Sequence, residues 1–127
     1  MKRSTFLMIS GIGALIFGGM MFFVPAVAAN SLGMEFSPTT GSVLRGMGGL
    51  IIGTGLMNFL FAKINNLATV MVVLMTNIAT HAFGLAVDLF GIHDGVLTIT
   101  KMAPVEITHL FVGVGSLIYL LNYKPTE

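Results

Sequence analysis

The sequence contains no cysteine, which removes disulfides, thiolate metal ligands, iron–sulfur clusters and thiol nucleophiles together. Charge is almost as scarce. Charged residues make up 9% of 127, six bases against five acids, and a net charge of +1 gives no field to draw in nucleic acid. No nucleic-acid partner is expected. Also missing are a nucleophile elbow, a phosphate-binding loop, a zinc-ligand string and a dinucleotide fingerprint, since Gly11-x-Gly13 lies within an apolar run and not after a strand. The segments between apolar runs are too short to form a separate domain, so an extramembrane catalytic site is not expected.

What is present is apolar. Hydrophobic residues reach 55% and the mean hydropathy is +0.95, a composition from which no water-soluble surface can be built. Sixteen glycines, ten methionines and ten phenylalanines suit helices that approach closely in lipid and fill irregular gaps. The expected fold is all-α, a polytopic membrane protein with four transmembrane helices in one antiparallel bundle over residues 1–127. The bilayer is then its first partner.

The first span is expected at about 5–29, preceded by Lys2 and Arg3 and with Pro25 near its far end. A rival reading is a cleaved signal peptide, because Ala26-Val27-Ala28 resembles an A-x-A cleavage site, yet the apolar stretch exceeds the usual h-region of about 7–15 residues. Residues 30–40, with Glu35, Ser37 and Pro38, form a loop. The second span is expected at about 41–62, interrupted only by Arg45 and Asn58, and the short turn Lys63 to Asn66 makes it an antiparallel neighbour of the third, at about 67–90. His93-Asp94-Gly95 reads as a loop turn, and Pro104 is expected in the first turn of the fourth span, at about 104–121. A polar tail follows.

Four spans place both termini on one side. That side holds Lys2, Arg3, Lys63 and Lys124 and the other holds Arg45 and Lys101, so the positive-inside rule favours cytoplasmic termini. The acids Glu35, Asp88, Asp94 and Glu106 fall towards the opposite side, with Glu127 inside. Small residues recur at helical spacing, as in Gly49-x-x-x-Gly53. They can serve a dimerisation face, through itself or another membrane protein, or packing within one bundle, and the second is the expectation. Residues 11–17 and 113–119 are alike but too short to establish a repeat.

Ionisable groups in a bilayer cost about 2.5–3.5 kcal/mol each on insertion scales, so they turn inwards and find partners. On the third span Asn77, His81, Gly84 and Asp88 recur at intervals of four, three and four, and on the fourth Glu106, His109, Gly113 and Ser116 recur at three, four and three. Two polar stripes are therefore expected to face one interior. Arg45, Asp88 and Glu106 fall at similar levels near the outer side, with His109 about 4.5 Å and His81 about 10 Å deeper at about 1.5 Å of rise per residue. Asn58 lies well round its helix from Arg45 and does not join on spacing alone.

Three readings compete for Arg45, Asn77, His81, Asp88, Glu106 and His109. In a structural reading Arg45 pairs with Glu106 or Asp88 and the network fixes helix register. In a binding reading the guanidinium holds an anionic small molecule or lipid headgroup and the histidines confer pH sensitivity. In a metal or redox reading Glu106-x-x-His109 supplies a carboxylate and an imidazole, with His81 and Asp88 as further ligands; a bis-histidine haem is disfavoured by the depth difference. Composition names no cofactor.

The segment Arg45-Gly46-Met47-Gly48-Gly49-Leu50-Ile51-Ile52-Gly53, the stretch from Asp88 through His93-Asp94-Gly95, and Glu106 at the head of the last helix resemble a bacterial family of four-span membrane proteins of unknown function. The likeness runs from the second span to the fourth. That family tends to carry an arginine near the position of His81. The resemblance implies a four-helix architecture and a bacterial inner membrane, and it implies no activity. The expected role is a non-enzymatic membrane protein, a structural or accessory subunit of a complex, with ligand binding as the alternative and a metal or redox site as the third.

Overall fold

A computed structural model describes residues 1–123, so Lys124 and Glu127, which enter the charge argument above, lie outside the described residues. Five helices form: α1 (Arg3–Phe23), α2 (Pro25–Leu32), α3 (Pro38–Phe61), α4 (Leu67–His93) and α5 (Ile99–Leu121). No strand occurs among the described residues. Four of the helices, α1, α3, α4 and α5, are long and apolar enough to cross a bilayer. The expected all-α, four-span architecture holds, with one extra helix.

That extra helix comes from Pro25. A proline lacks the N–H that would continue α1 and restricts its predecessor, and Val24 leaves helical geometry at φ −131° and ψ 59°. The first span therefore ends at Phe23, about six residues early, and Pro25 opens α2 as its first residue. α2 lies at the distal end of the bundle, remote from the N-terminus, and buries Pro25, Ala28, Ala29 and Leu32. The alanines of the A-x-A segment are thus helical, and Ala28 is fully covered by protein. Gly33 ends the helix at φ 74°, with its own N–H bonded to Asn30 O and that of Met34 to Ala29 O.

The other boundaries have equally local causes. Ser37 Oγ accepts from the Thr40 N–H and Pro38 occupies the first turn, which starts α3 three residues sooner than expected. Asn66 Oδ1 caps α4 through the Thr69 N–H. α4 runs on to His93 and closes at Gly95, φ 72°, where Gly95 N–H meets Ile92 O and Val96 N–H meets Gly91 O. α5 starts at Ile99, so Pro104 sits inside the helix and not in its opening position. Tertiary packing overrides the proline here: Met102 is buried against Ala28, Leu32 and Leu44, and the stem of Lys101 lies over Gly33. The lost bond falls only on the Thr100 carbonyl, near the helix end.

Two helix pairs make the bundle. α1 and α3 meet at Gly11 against Gly55 and at Gly18 against Gly48, so closely that a Cβ on Gly48 would stand 2.7 Å from Gly18 O and one on Gly11 2.9 Å from Gly55 O. Lipid tails supply no hydrophobic force between helices, and backbone contact of this kind replaces it. α4 pairs with α5, and the two pairs join through apolar clusters at both ends. The terminal cluster centres on Phe6, Leu7, Val73, Leu74 and Val112, with the Phe6 ring seated over Gly115; the distal one centres on Met21, Ala28, Leu44 and Met102.

Gly49-x-x-x-Gly53 does not pack within the bundle. Nothing lies within 4 Å of a Cβ at Gly53, and Gly49 touches only the edge of the Phe22 ring at 3.9 Å. One residue turns a helical face by about 100°, and the internal ridge uses Gly48 and Gly55, two turns apart. Gly48→Ala is expected to push α1 and α3 apart and cost about 1–3 kcal/mol, the usual range for overpacking. Gly53→Ala should be silent. Thermal unfolding in detergent measures both, and equal losses would refute the assignment of the two ridges.

Candidate functional site

The two polar stripes of α4 and α5 face one another, as their spacing requires. His81 Cβ lies 3.3 Å from where Gly113 would carry a Cβ, and the His109 ring fills the space over Gly84. Each imidazole thus occupies a gap left by a glycine of the opposite helix. The antiparallel register continues upwards to set Glu106 in range of Asp88 and His109. Chain direction makes this geometry possible: a step down α4 is met by a step up α5.

The histidines bond directly. His81 Nδ1 and His109 Nδ1 are 2.8 Å apart, with ring centroids at 5.1 Å and an interplanar angle of 62°. The several ångströms of depth between them are bridged by the side chains, and no room remains for a porphyrin plane between the rings. His109 Nε2 lies 3.3 Å from Asp88 Oδ2. Two proton arrangements satisfy this chain. In one, His81 Nδ1–H donates to a neutral His109 whose Nε2–H points at Asp88; in the other, a doubly protonated His109 donates in both directions.

Glu106 differs from its neighbours. Both of its carboxylate oxygens are covered by protein, and neither has a hydrogen-bond partner. A buried acceptor without a donor costs about 1–3 kcal/mol, more when charged. The cluster is therefore short of donors. Arg45 does not supply them, because it is exposed and its Nη1 lies back along α3 towards Gly41, one turn nearer the distal end. A long basic side chain in a span reaches for the headgroup region in this way. The expectation that Arg45 pairs with Asp88 or Glu106, or clamps an anion beside them, is corrected on this point.

Asn77 also has another partner than expected. Its side chain exchanges two hydrogen bonds with Asn58 of α3, Nδ2 of Asn58 to Oδ1 of Asn77 at 3.0 Å and the reverse at 2.9 Å, both residues being buried. Spacing on α3 alone could not reveal this, since the pairing crosses between helices. A usable signal did exist: these are the only amide side chains in the four spanning helices. Ser10 of α1 and Ser116 of α5 are buried as well, so each spanning helix buries one uncharged polar side chain.

Along α4 and α5 the histidines, Asp88 and Glu106 fall between the two apolar clusters. On the distal side Ile92, Leu97, Met102 and Val105 join the packing of α2, α1 and α3. Among the described residues no group of three or more His, Cys, Asp and Glu side chains is placed to hold a metal ion. His81, Glu106 and His109 adjoin one another, but as a histidine pair and a separate carboxylate. Two imidazoles and two carboxylates form an acceptor-rich seam that fits a cation or a hydrogen-bond donor.

No protein-family model matches the chain, and no curated protein or solved structure is significantly similar to it. The amide pair can be tested directly. Asn58→Leu and Asn77→Leu should each destabilise the protein by about 1–3 kcal/mol by stranding the other amide. The double variant should recover part of the loss, with a coupling of about 0.6–1.7 kcal/mol, the range for hydrogen bonds between membrane helices. Strictly additive losses in reversible unfolding would show that the amides do not act as a pair.

Proposed function

We propose that this chain is a non-enzymatic, multi-pass protein of a bacterial inner membrane, with both termini cytoplasmic, that serves as a structural or accessory subunit of a membrane complex. The observation that carries this reading is the second glycine ridge of α3. Gly46, Gly49 and Gly53 share one face, at intervals of three and four, with no neighbour within 4 Å of a Cβ at Gly46 or Gly53. On the same helix the Gly48 and Gly55 ridge receives α1 at backbone contact. A face of that kind left open on a spanning helix suits a helix of a partner subunit. Val43, Met47 and Leu50 beside it are exposed and supply the apolar shoulders of such a contact.

The orientation is supported by Lys2, Arg3 and Lys63 at the terminal end against Arg45 and Lys101 at the distal end. The resemblance noted above supports the bacterial inner membrane. Extraction in a mild detergent is expected to recover the chain with a constant partner or as a defined oligomer, and Gly49→Leu with Gly53→Leu should abolish that association at an unchanged melting temperature. A wild-type chain that runs only as a monomer, or an association indifferent to both substitutions, would end this reading.

A second reading has its own support in Glu106. A carboxylate covered by protein and lacking a donor favours a site for a small cationic or hydrogen-bond-donating ligand between α4 and α5. Sites held for function are commonly less stable than their neutral replacements. Glu106→Gln, which brings its own donor, should therefore raise the thermal stability of the isolated protein by about 1–3 kcal/mol. Arg45→Gln should leave it unchanged. A fall on Glu106→Gln would mean that this carboxylate is already paired within the protein.

A further inference from the structure

At the opposite end of the bundle from α2, the start of α1, the turn between α3 and α4 and the end of α5 enclose a cleft of about 580 Å³. Its walls include Arg3, Ser4, Lys63, Asn65, Tyr119 and Tyr123, and no acid is among its described lining residues. We propose that this cleft binds a phosphate group, carried either by the headgroup of an anionic phospholipid or by free phosphate.

Arg3 is held ready for such a group. Its Nη2 donates to Ile64 O at 2.6 Å and to Asn65 Oδ1 at 2.9 Å, and its guanidinium lies 5.6 Å from the centroid of the Tyr123 ring. Tyr123 is fixed in turn, since its hydroxyl donates to Asn65 O at 2.8 Å. Two anchor points and an aromatic face leave the guanidinium little freedom. Its Nε is covered by protein and its Nη2 is engaged, so Nη1 is the guanidinium nitrogen left to a ligand among the described contacts. A planar donor so immobilised matches phosphate oxygens better than a free side chain does.

Lys63 adds the second charge. It lines the cleft and makes no hydrogen bond or ion pair among the described residues, which leaves its ammonium to a ligand. The Ser4 hydroxyl is a further donor. Location fits the chemistry, because the first residues of α1 and the last of α5 lie at the level of the lipid headgroups, where tyrosines also concentrate. Two cations with no acid among the described lining residues attract anionic lipid, each contributing a roughly fivefold change in affinity near a charged leaflet. The seam between α4 and α5 has no lysine or arginine against it among the described contacts, so the two sites differ in their chemistry.

The test uses the full chain in a neutral detergent, with retention of added lipid read by native mass spectrometry. Wild-type protein should retain phosphatidylglycerol in preference to phosphatidylcholine, and Lys63→Gln, which breaks no hydrogen bond or ion pair among the described residues, should weaken that retention about fivefold. Lys101→Gln, the same charge loss at the distal end, should change nothing. Displacement of the lipid by millimolar inorganic phosphate would identify phosphate itself as the recognised group, whereas retention in its presence would identify the whole headgroup. Equal retention of the two lipids, or equal losses from Lys63→Gln and Lys101→Gln, would overturn the proposal.

Discussion

The backbone contact between α1 and α3 is the constraint on which the rest of the structure depends. In water, two apolar helices associate because association removes surface from solvent; in lipid the tails are as apolar as the side chains and that gain disappears. What remains is close packing and hydrogen bonding. Gly11 against Gly55 and Gly18 against Gly48 bring one backbone onto another over two turns, so this pair is held by dispersion alone. It provides the rigid wall against which α2, α4 and α5 lean.

The second pair is built on the other principle. α4 and α5 are brought together by groups that lipid cannot satisfy, with histidines seated over Gly84 and Gly113 and bonded to each other at 2.8 Å. Glycine has a different task here, making room for an imidazole and not for a backbone. The pairs are then joined by the reciprocal Asn58 and Asn77 amides, which leave no donor or acceptor between them facing the wrong partner. A single buried amide is known to fix register in packed helices, and a mutual pair between α3 and α4 allows only one sliding position. Register in this bundle is therefore set by polar groups, and helix separation by glycines.

Periodicity made much of this legible. The count of spans, the short α3–α4 turn and the two polar stripes follow from hydropathy and a period of 3.6, and the stripes do meet. Three things did not follow, for one shared reason: each depends on which side of a helix faces protein when every side is apolar. α3 carries glycines all round, so Gly48 and Gly55 could not be told from Gly49 and Gly53 before α1 was in place. Arg45 could reach inwards or towards its own N-terminal turn, and its spacing fits either; it takes the second course. Asn58 had no stripe of its own to mark it. Of the boundaries that shifted, α1 ends at Phe23 because Pro25 breaks the helix locally, whereas α5 starts at Ile99 where packing of Met102 outweighs the preference of Pro104 for a first turn.

A polar layer in mid-membrane invites comparison with a conduction path, and its surroundings argue against that comparison. A path needs polar or hydrated groups continuous to both surfaces. Here Phe6, Leu7, Val73 and Leu74 close the layer on the terminal side, and Met21, Leu44 and Met102 close it on the distal side. Ions crossing these clusters would lose their hydration with nothing to replace it. Asp88 and His109, each about 16% exposed, are thus polar groups held between α4 and α5 with apolar packing above and below, and not stations on a continuous path.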